Sequence, residues 1–150
     1  MAAGQGEQTE GTAREREVKK MIRAIEHVAI AAQDTAALAR WYCDTLGFKV
    51  VVEGGPQGTW FIGPPEGEAL VEIVRATTAP RAERDRNDAG WSHLAFTVSD
   101  FDAVVDSLRA KGVQFTGTIT GAPGERRLAF FPDSEGNVLQ LVSRPQPLKR

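Results

Sequence analysis

Apolar and polar positions along this chain follow two periods, and the same succession of periods occurs twice. The segment IEHVAIAAQDTAALARWYCDTLGFKV opens with a short alternating run, passes an Asp, continues at helical spacing, reaches a Gly and ends extended. WSHLAFTVSDFDAVVDSLRAKGVQF restates every step, with His27 and His93 at equivalent positions. Asp34 and Asp100 stand where a side-chain acceptor caps free backbone N–H groups, and Gly47 and Gly112 where a helix ends in a left-handed residue. Beyond each helix come three strand signals: FKVVVE, TWFIG and ALVEIVR, then VQFTGTI, RRLAFFP and NVLQLVS. Turn residues in GGPQG, GPPEGE, GAPGE and DSEGN separate them. Each half therefore reads β-α-β-β-β.

The modules span 22–75 and 91–144 within one domain, 22–145, with ATTAPRAERDRNDAG as a polar linker over 76–90. Residues 1–21 mix acids and bases with almost no large apolar side chains and read as a poorly ordered tail; 146–150 form a second tail. No apolar run precedes Met21, as a secretory signal requires, and none reaches a membrane span. The chain has 150 residues, 41% hydrophobic and 25% charged, a globular composition. With 18 Lys+Arg against 20 Asp+Glu the net charge is −2, without the basic excess that nucleic acid attracts. A single cysteine, Cys43, forms no internal disulfide and reads as a small buried side chain, so a reduced, cytoplasmic setting is expected.

Strand alternation then sorts side chains by face. Val28 and Ile30 oppose His27, Ala29 and Ala31; Leu94, Phe96 and Val98 oppose His93, Ala95 and Thr97. In LVEIV, Val71 and Ile73 point inward and Glu72 outward; in VLQLV, Leu139 and Leu141 point inward and Gln140 outward. The apolar sets belong beneath the helices. His27, Glu72, His93 and Gln140 thus share the other face, and imidazole nitrogen with carboxylate or amide oxygen suits Zn, Ni, Co, Mn or Fe. Each histidine alone is more simply a hydrogen-bonded structural residue. The pairing of equivalent positions in the repeat, His27 with His93 and Glu72 with Gln140, is what favours one divalent metal ion per site. Trp60 and Trp91 are candidate substrate-lining residues, while Arg75, Arg126 and Arg127 are most simply exposed.

The motifs IEHVAI, WYCDTLGFKV, LVEIV, WSHLAFTVSD and FFPDSEGNVLQLV resemble the vicinal oxygen chelate superfamily, over about Ile22 to Arg144. That superfamily includes glyoxalase I, methylmalonyl-CoA epimerase, fosfomycin-resistance enzymes, extradiol dioxygenases and bleomycin-binding proteins. The resemblance implies an α+β fold in which two paired βαβββ modules form an incomplete barrel, a cup with helices outside. It implies metal ligands at His27, Glu72, His93 and Gln140, and a homodimer that in some members exchanges modules. Glyoxalase I normally has a proton-shuttling Glu in the last position. Gln140 cannot take a proton, so Glu72 is left as the catalytic base. The expected function is a metal-dependent lyase or isomerase that chelates adjacent oxygens of a small substrate and transfers a proton through an enediolate. A ring-cleaving dioxygenase and a non-catalytic binding or resistance protein are the alternatives.

Overall fold

A computed structural model describes residues 24–79, 87 and 89–148. The expected tail at 1–21 lies outside the described residues, as does the middle of the linker. The elements run β1 (His27–Ala32), α1 (Thr35–Leu46), β2 (Lys49–Gly55), β3 (Thr59–Gly63), β4 (Leu70–Arg75), then β5 (Leu94–Thr97), α2 (Phe101–Ala110), β6 (Thr116–Thr120), β7 (Arg127–Pro132) and β8 (Val138–Ser143), with a short 3-10 turn at Pro56–Gly58. Two four-stranded mixed sheets result, ordered β1-β4-β3-β2 and β5-β8-β7-β6. In each, the strand before the helix pairs in parallel with the last strand of its module, and the remaining pairs are antiparallel. Neither sheet closes into a barrel, consistent with an α+β cup.

The helices start and stop where local chemistry dictates. Asp34 accepts from the Ala37 N–H at 2.9 Å and Asp100 from the Ala103 N–H at 3.0 Å, each satisfying a donor that the first helical turn leaves open. Gly47, at φ 75°, closes α1 in the left-handed region that a side chain disfavours. The second helix stops one residue sooner relative to its glycine. Lys111 is its C-cap, and Gly112 supplies the positive φ in the turn that follows.

The core lies on the faces expected to carry it. Val71, Ile73, Leu139 and Leu141 are buried, joined by Leu38, Tyr42 and Ile62 from the first module and Phe101, Leu108 and Phe131 from the second. The opposite face is open, with Ala29, Ala31, Ala95 and Thr97 all exposed. One difference from the sequence reading concerns β6, which begins at Thr116 rather than near Val113. Val113 and Phe115 instead pack against the core on the approach to the strand, which satisfies their apolar surface without a ladder.

Contacts between the modules centre on α1. Tyr42 donates its hydroxyl to buried Asp133, in the β7–β8 turn, at 3.1 Å. Asp133 also receives the Glu135 and Asn137 backbone N–H groups and the Asn137 side-chain amide. Burial pushes the Asp133 carboxyl above its ordinary range against these hydrogen bonds, and burial beside Asp133 pushes the Tyr42 hydroxyl up. Asp133→Ala removes an acceptor shared by four donors and should cost about 3 kcal/mol, whereas Tyr42→Phe removes one donor and should cost about 1 kcal/mol. Urea unfolding of both variants checks the order, and equal losses would overturn this account of the turn.

Candidate metal centre

Parallel pairing of β1 with β4 sets Ala29 opposite Glu72, and antiparallel pairing of β3 with β4 sets Phe61 opposite Glu72. His27 lies one step along on the same face, and its Nε2 is 3.3 Å from Glu72 Oε2. The second sheet repeats the plan. Gln140 pairs with Ala95 on one side and Phe130 on the other, and His93 immediately precedes β5. His27 stands at 87° to the Phe61 ring with centroids 5.6 Å apart; His93 stands at 89° to Phe130 at 5.3 Å. Each sheet thus carries a half-site of one histidine, one oxygen donor and one phenylalanine.

In both half-sites the residue just before the histidine occupies Nδ1. Glu26 contacts His27 Nδ1, and Ser92 Oγ lies 2.9 Å from His93 Nδ1. A carboxylate can only accept, so the Glu26 contact suits a proton on Nδ1; neutral His27 in that tautomer would keep its lone pair on Nε2, the atom that faces Glu72. This is how partners behind a ligating imidazole fix its orientation and basicity. Donors about 2.0–2.1 Å from one ion in tetrahedral arrangement sit roughly 3.3 Å apart, so the His27–Glu72 separation fits two neighbouring ligands of a divalent metal. Glu72 is partly exposed and Gln140 is buried. No three His, Cys, Asp or Glu residues converge on a common point among the described residues of one chain. The structure therefore unites His27 with Glu72 and places His93 and Gln140 on the other sheet.

Of the three tryptophans, the two candidates Trp60 and Trp91 do not join either half-site. Trp60 pairs with Ile73, on the face opposite Glu72, and packs against the core. Trp91 is exposed, preceding β5. Arg127 is engaged on the helix side, bonded to Asp102 at 2.6 Å with its guanidinium over the Phe101 ring. Cys43 is half-buried in α1, and burial raises its thiol pKa, which suits a packing role. Glu26, Ser92, Phe61 and Phe130 are not singled out by strand parity. Superposing the two repeats would have found them, because they occupy equivalent positions in each.

The sequence model of the glyoxalase/bleomycin resistance protein/dioxygenase superfamily matches residues 24–141. The chain belongs to this superfamily. Members of the superfamily in known proteins span distinct activities. The chain is 29% identical to the uncharacterised protein YaeR of Escherichia coli (strain K12), the alignment covering 82% of this chain and 98% of that one. It is 31% identical to an ethylmalonyl-CoA/methylmalonyl-CoA epimerase of Cereibacter sphaeroides, covering 81% and 98%. Among solved structures it resembles TnmS3, an antibiotic binding protein from Streptomyces sp. CB03234, with a TM-score of 0.66 at 24% identity over 82% of this chain and 97% of that one. A superfamily of small-molecule proteins, many of them metal-dependent, agrees with a donor set on an open sheet face. No helix among the described residues is long and apolar enough to cross a membrane.

The pair at His27 makes its titration testable. The hydrogen bond and charge of Glu26, with a further contribution from Glu72, hold the imidazole pKa above the ordinary histidine value. A raised folded-state pKa adds stability that is complete below the unfolded value and fades as pH rises through the folded one. Glu26→Gln should shift the His27 midpoint downward in a proton NMR titration. An unmoved His27 midpoint would show that Glu26 does not hold the ring.

Proposed function

We propose that the protein is a divalent-metal-dependent lyase or isomerase of the glyoxalase I or epimerase type, acting on a small substrate through two adjacent oxygens. The observation that carries this reading is the doubled histidine arrangement: each ring has Nδ1 occupied by its preceding neighbour, and His27 Nε2 faces Glu72 at 3.3 Å. His27, Glu72, His93 and Gln140 would hold the ion. When bound, a divalent ion acts as a Lewis acid toward substrate oxygens and lowers the cost of negative charge there.

The chain's own residues supply the rest. Glu72 is the one carboxylate of the four, the imidazoles of His27 and His93 being committed to the ion when it is bound, so it removes the proton from the substrate carbon and returns it. Gln140 contributes a neutral amide and keeps the site from carrying a second negative charge. Glu26 and Ser92 are positioning residues that present Nε2. Trp60 and Trp91, set in the core and in solvent, are not part of this mechanism.

The four ligands come from two open half-sites on separate sheets, which favours a homodimer in which the His27/Glu72 half of one copy meets the His93/Gln140 half of another. Mixing His27→Ala chains with His93→Ala chains tests this. An exchanged dimer regenerates one wild-type site per hybrid, so metal content should recover toward one ion per two chains. Recovery absent from a hybrid shown to form by mass would place the site within a single chain.

Metal content of protein purified without chelator tests the reading as a whole. About one transition-metal ion per site is expected, lost in a His27→Ala variant. Protein that neither carries nor takes up a transition metal would leave a non-catalytic binding module in its place. Glu72→Gln should keep the fold and lower solvent proton exchange at the substrate carbon by at least about a hundredfold, the scale of a general base. Unchanged exchange would remove Glu72 from the proton transfer.

A further inference from the structure

A cleft of about 990 Å³ is lined by both modules and by none of the four candidate ligands. Val28, Leu46 and Leu70 of the first module and Leu94, Phe96 and Val104 of the second face into it, and all are half-buried. Their remaining apolar surface is what another apolar group would remove from water. Glu66 and Glu68, exposed in the loop before β4, make the rim acidic. Lys111 also lines the cleft, but its ammonium is held by the Asp44 and Thr45 carbonyls. The described chain begins at this place. The Leu70 N–H donates to the Glu26 carbonyl at 2.9 Å, so the residues ahead of β1 run beside Ala69 and Leu70 in the cleft wall, and Ile25 is 72% exposed there.

The sequence leading to that point has the complementary character. Val18, Met21, Ile22 and Ile25 recur at i, i+3, i+4 and i+7, the spacing of one helical face. Thr12 and Glu15 stand at capping-box spacing ahead of them. Around the apolar stripe Arg14, Arg16, Lys19, Lys20 and Arg23 outnumber Glu15 and Glu17, a basic flank for an acidic rim. So short a stripe does not hold a helix in water unaided, and an apolar surface supplies what it lacks. A helix covers roughly 10 Å from Ile25 back to Val18, which keeps the whole stripe within reach of the cleft. We propose that residues 13–25 dock as an amphipathic helix in the cleft of their own chain, with the stripe against both modules and the basic flank toward Glu66 and Glu68. Connectivity favours the chain's own segment over a second copy, because a tether this short gives it a high effective concentration at the wall where Ile25 already stands. Docking ties the two modules together and anchors the chain immediately ahead of Glu26, the residue against His27 Nδ1.

Hydrogen–deuterium exchange of the full chain, read by mass spectrometry beside a synthetic peptide of residues 1–26, tests this. Backbone amides of residues 16–25 should exchange at least about tenfold more slowly in the chain than in the peptide. Glu66→Lys combined with Glu68→Lys, on an exposed loop, should speed that exchange several-fold. Val104→Lys, which sets an ammonium against the stripe, should bring it to the peptide rate, while α1 amides keep their wild-type protection and report that the fold holds. Exchange as fast in the wild-type chain as in the peptide would leave the cleft to another occupant and overturn the proposal. So would protection that neither variant alters, or protection lost on roughly hundredfold dilution, which would seat the segment on a second copy.

Discussion

Helix α1 is gripped by the second module at both ends and in the middle, and the open sheet faces depend on that grip. At its start the Glu135 carboxylate accepts the Gln33 and Asp34 backbone N–H groups at 2.8 and 3.0 Å. At its end the Lys111 ammonium donates to the Asp44 and Thr45 carbonyls at 2.7 and 3.0 Å. An acid at the positive end and a base at the negative end each complement the helix dipole while satisfying groups that a helix leaves unpaired. Between them Tyr42 reaches buried Asp133, and just past the helix Phe48 packs nearly perpendicular to Phe96 at 5.4 Å. The modules thus adhere through their helix-side surfaces. Each sheet is free to present its other face outward, which is where the candidate ligands stand.

The architecture was largely legible because two features repeat and a repeat cancels local noise. Asp34 and Asp100 cap helices for the same steric and hydrogen-bonding reason, and the two parallel pairings β1–β4 and β5–β8 put residue pairs Ala29–Glu72 and Ala95–Gln140 in the same relation. Where one strand face is apolar and the other is not, alternation assigns faces directly; LVEIV and VLQLV are cases of this. The third strand of the first module defeats that logic. TWFIG is apolar on both faces, since β3 lies between two neighbours with core on one side and the His27–Phe61 contact on the other, so hydrophobicity cannot say whether Trp60 or Phe61 faces the ligands. Register decides it, through Trp60–Ile73 and Phe61–Glu72, and register is a tertiary property.

The partners behind the histidines escape a sequence reading for a different reason. Glu26 and Ser92 lie immediately before the ligand positions and, in a regular strand, would point to the other face. Glu26 precedes β1 and Ser92 lies in the coil ahead of β5, outside the regular alternation, and there each side chain reaches the neighbouring ring. The chemistry is legible in hindsight because both are hydrogen-bonding residues at equivalent positions, one a permanent acceptor and the other able to donate or accept.

That difference extends through the whole half-site and gives the proposed mechanism a direction. The first module surrounds its histidine with two carboxylates, Glu26 and Glu72; the second uses a hydroxyl and an amide, Ser92 and Gln140. On the proposed reading the one carboxylate among the four ligands, Glu72, lies on the first sheet. A single base can remove and return a proton only on the side of the substrate it faces, which suits a shift between adjacent carbons on one face of a planar intermediate. Inverting a stereocentre demands delivery to the opposite face, which on this reading falls to a group other than Gln140, whose amide neither gives up nor takes a proton at neutral pH. The replacement of an acid by an amide therefore fits same-face proton transfer with these four ligands alone, and an epimerase-type reaction at the same site calls on a second proton donor beyond them.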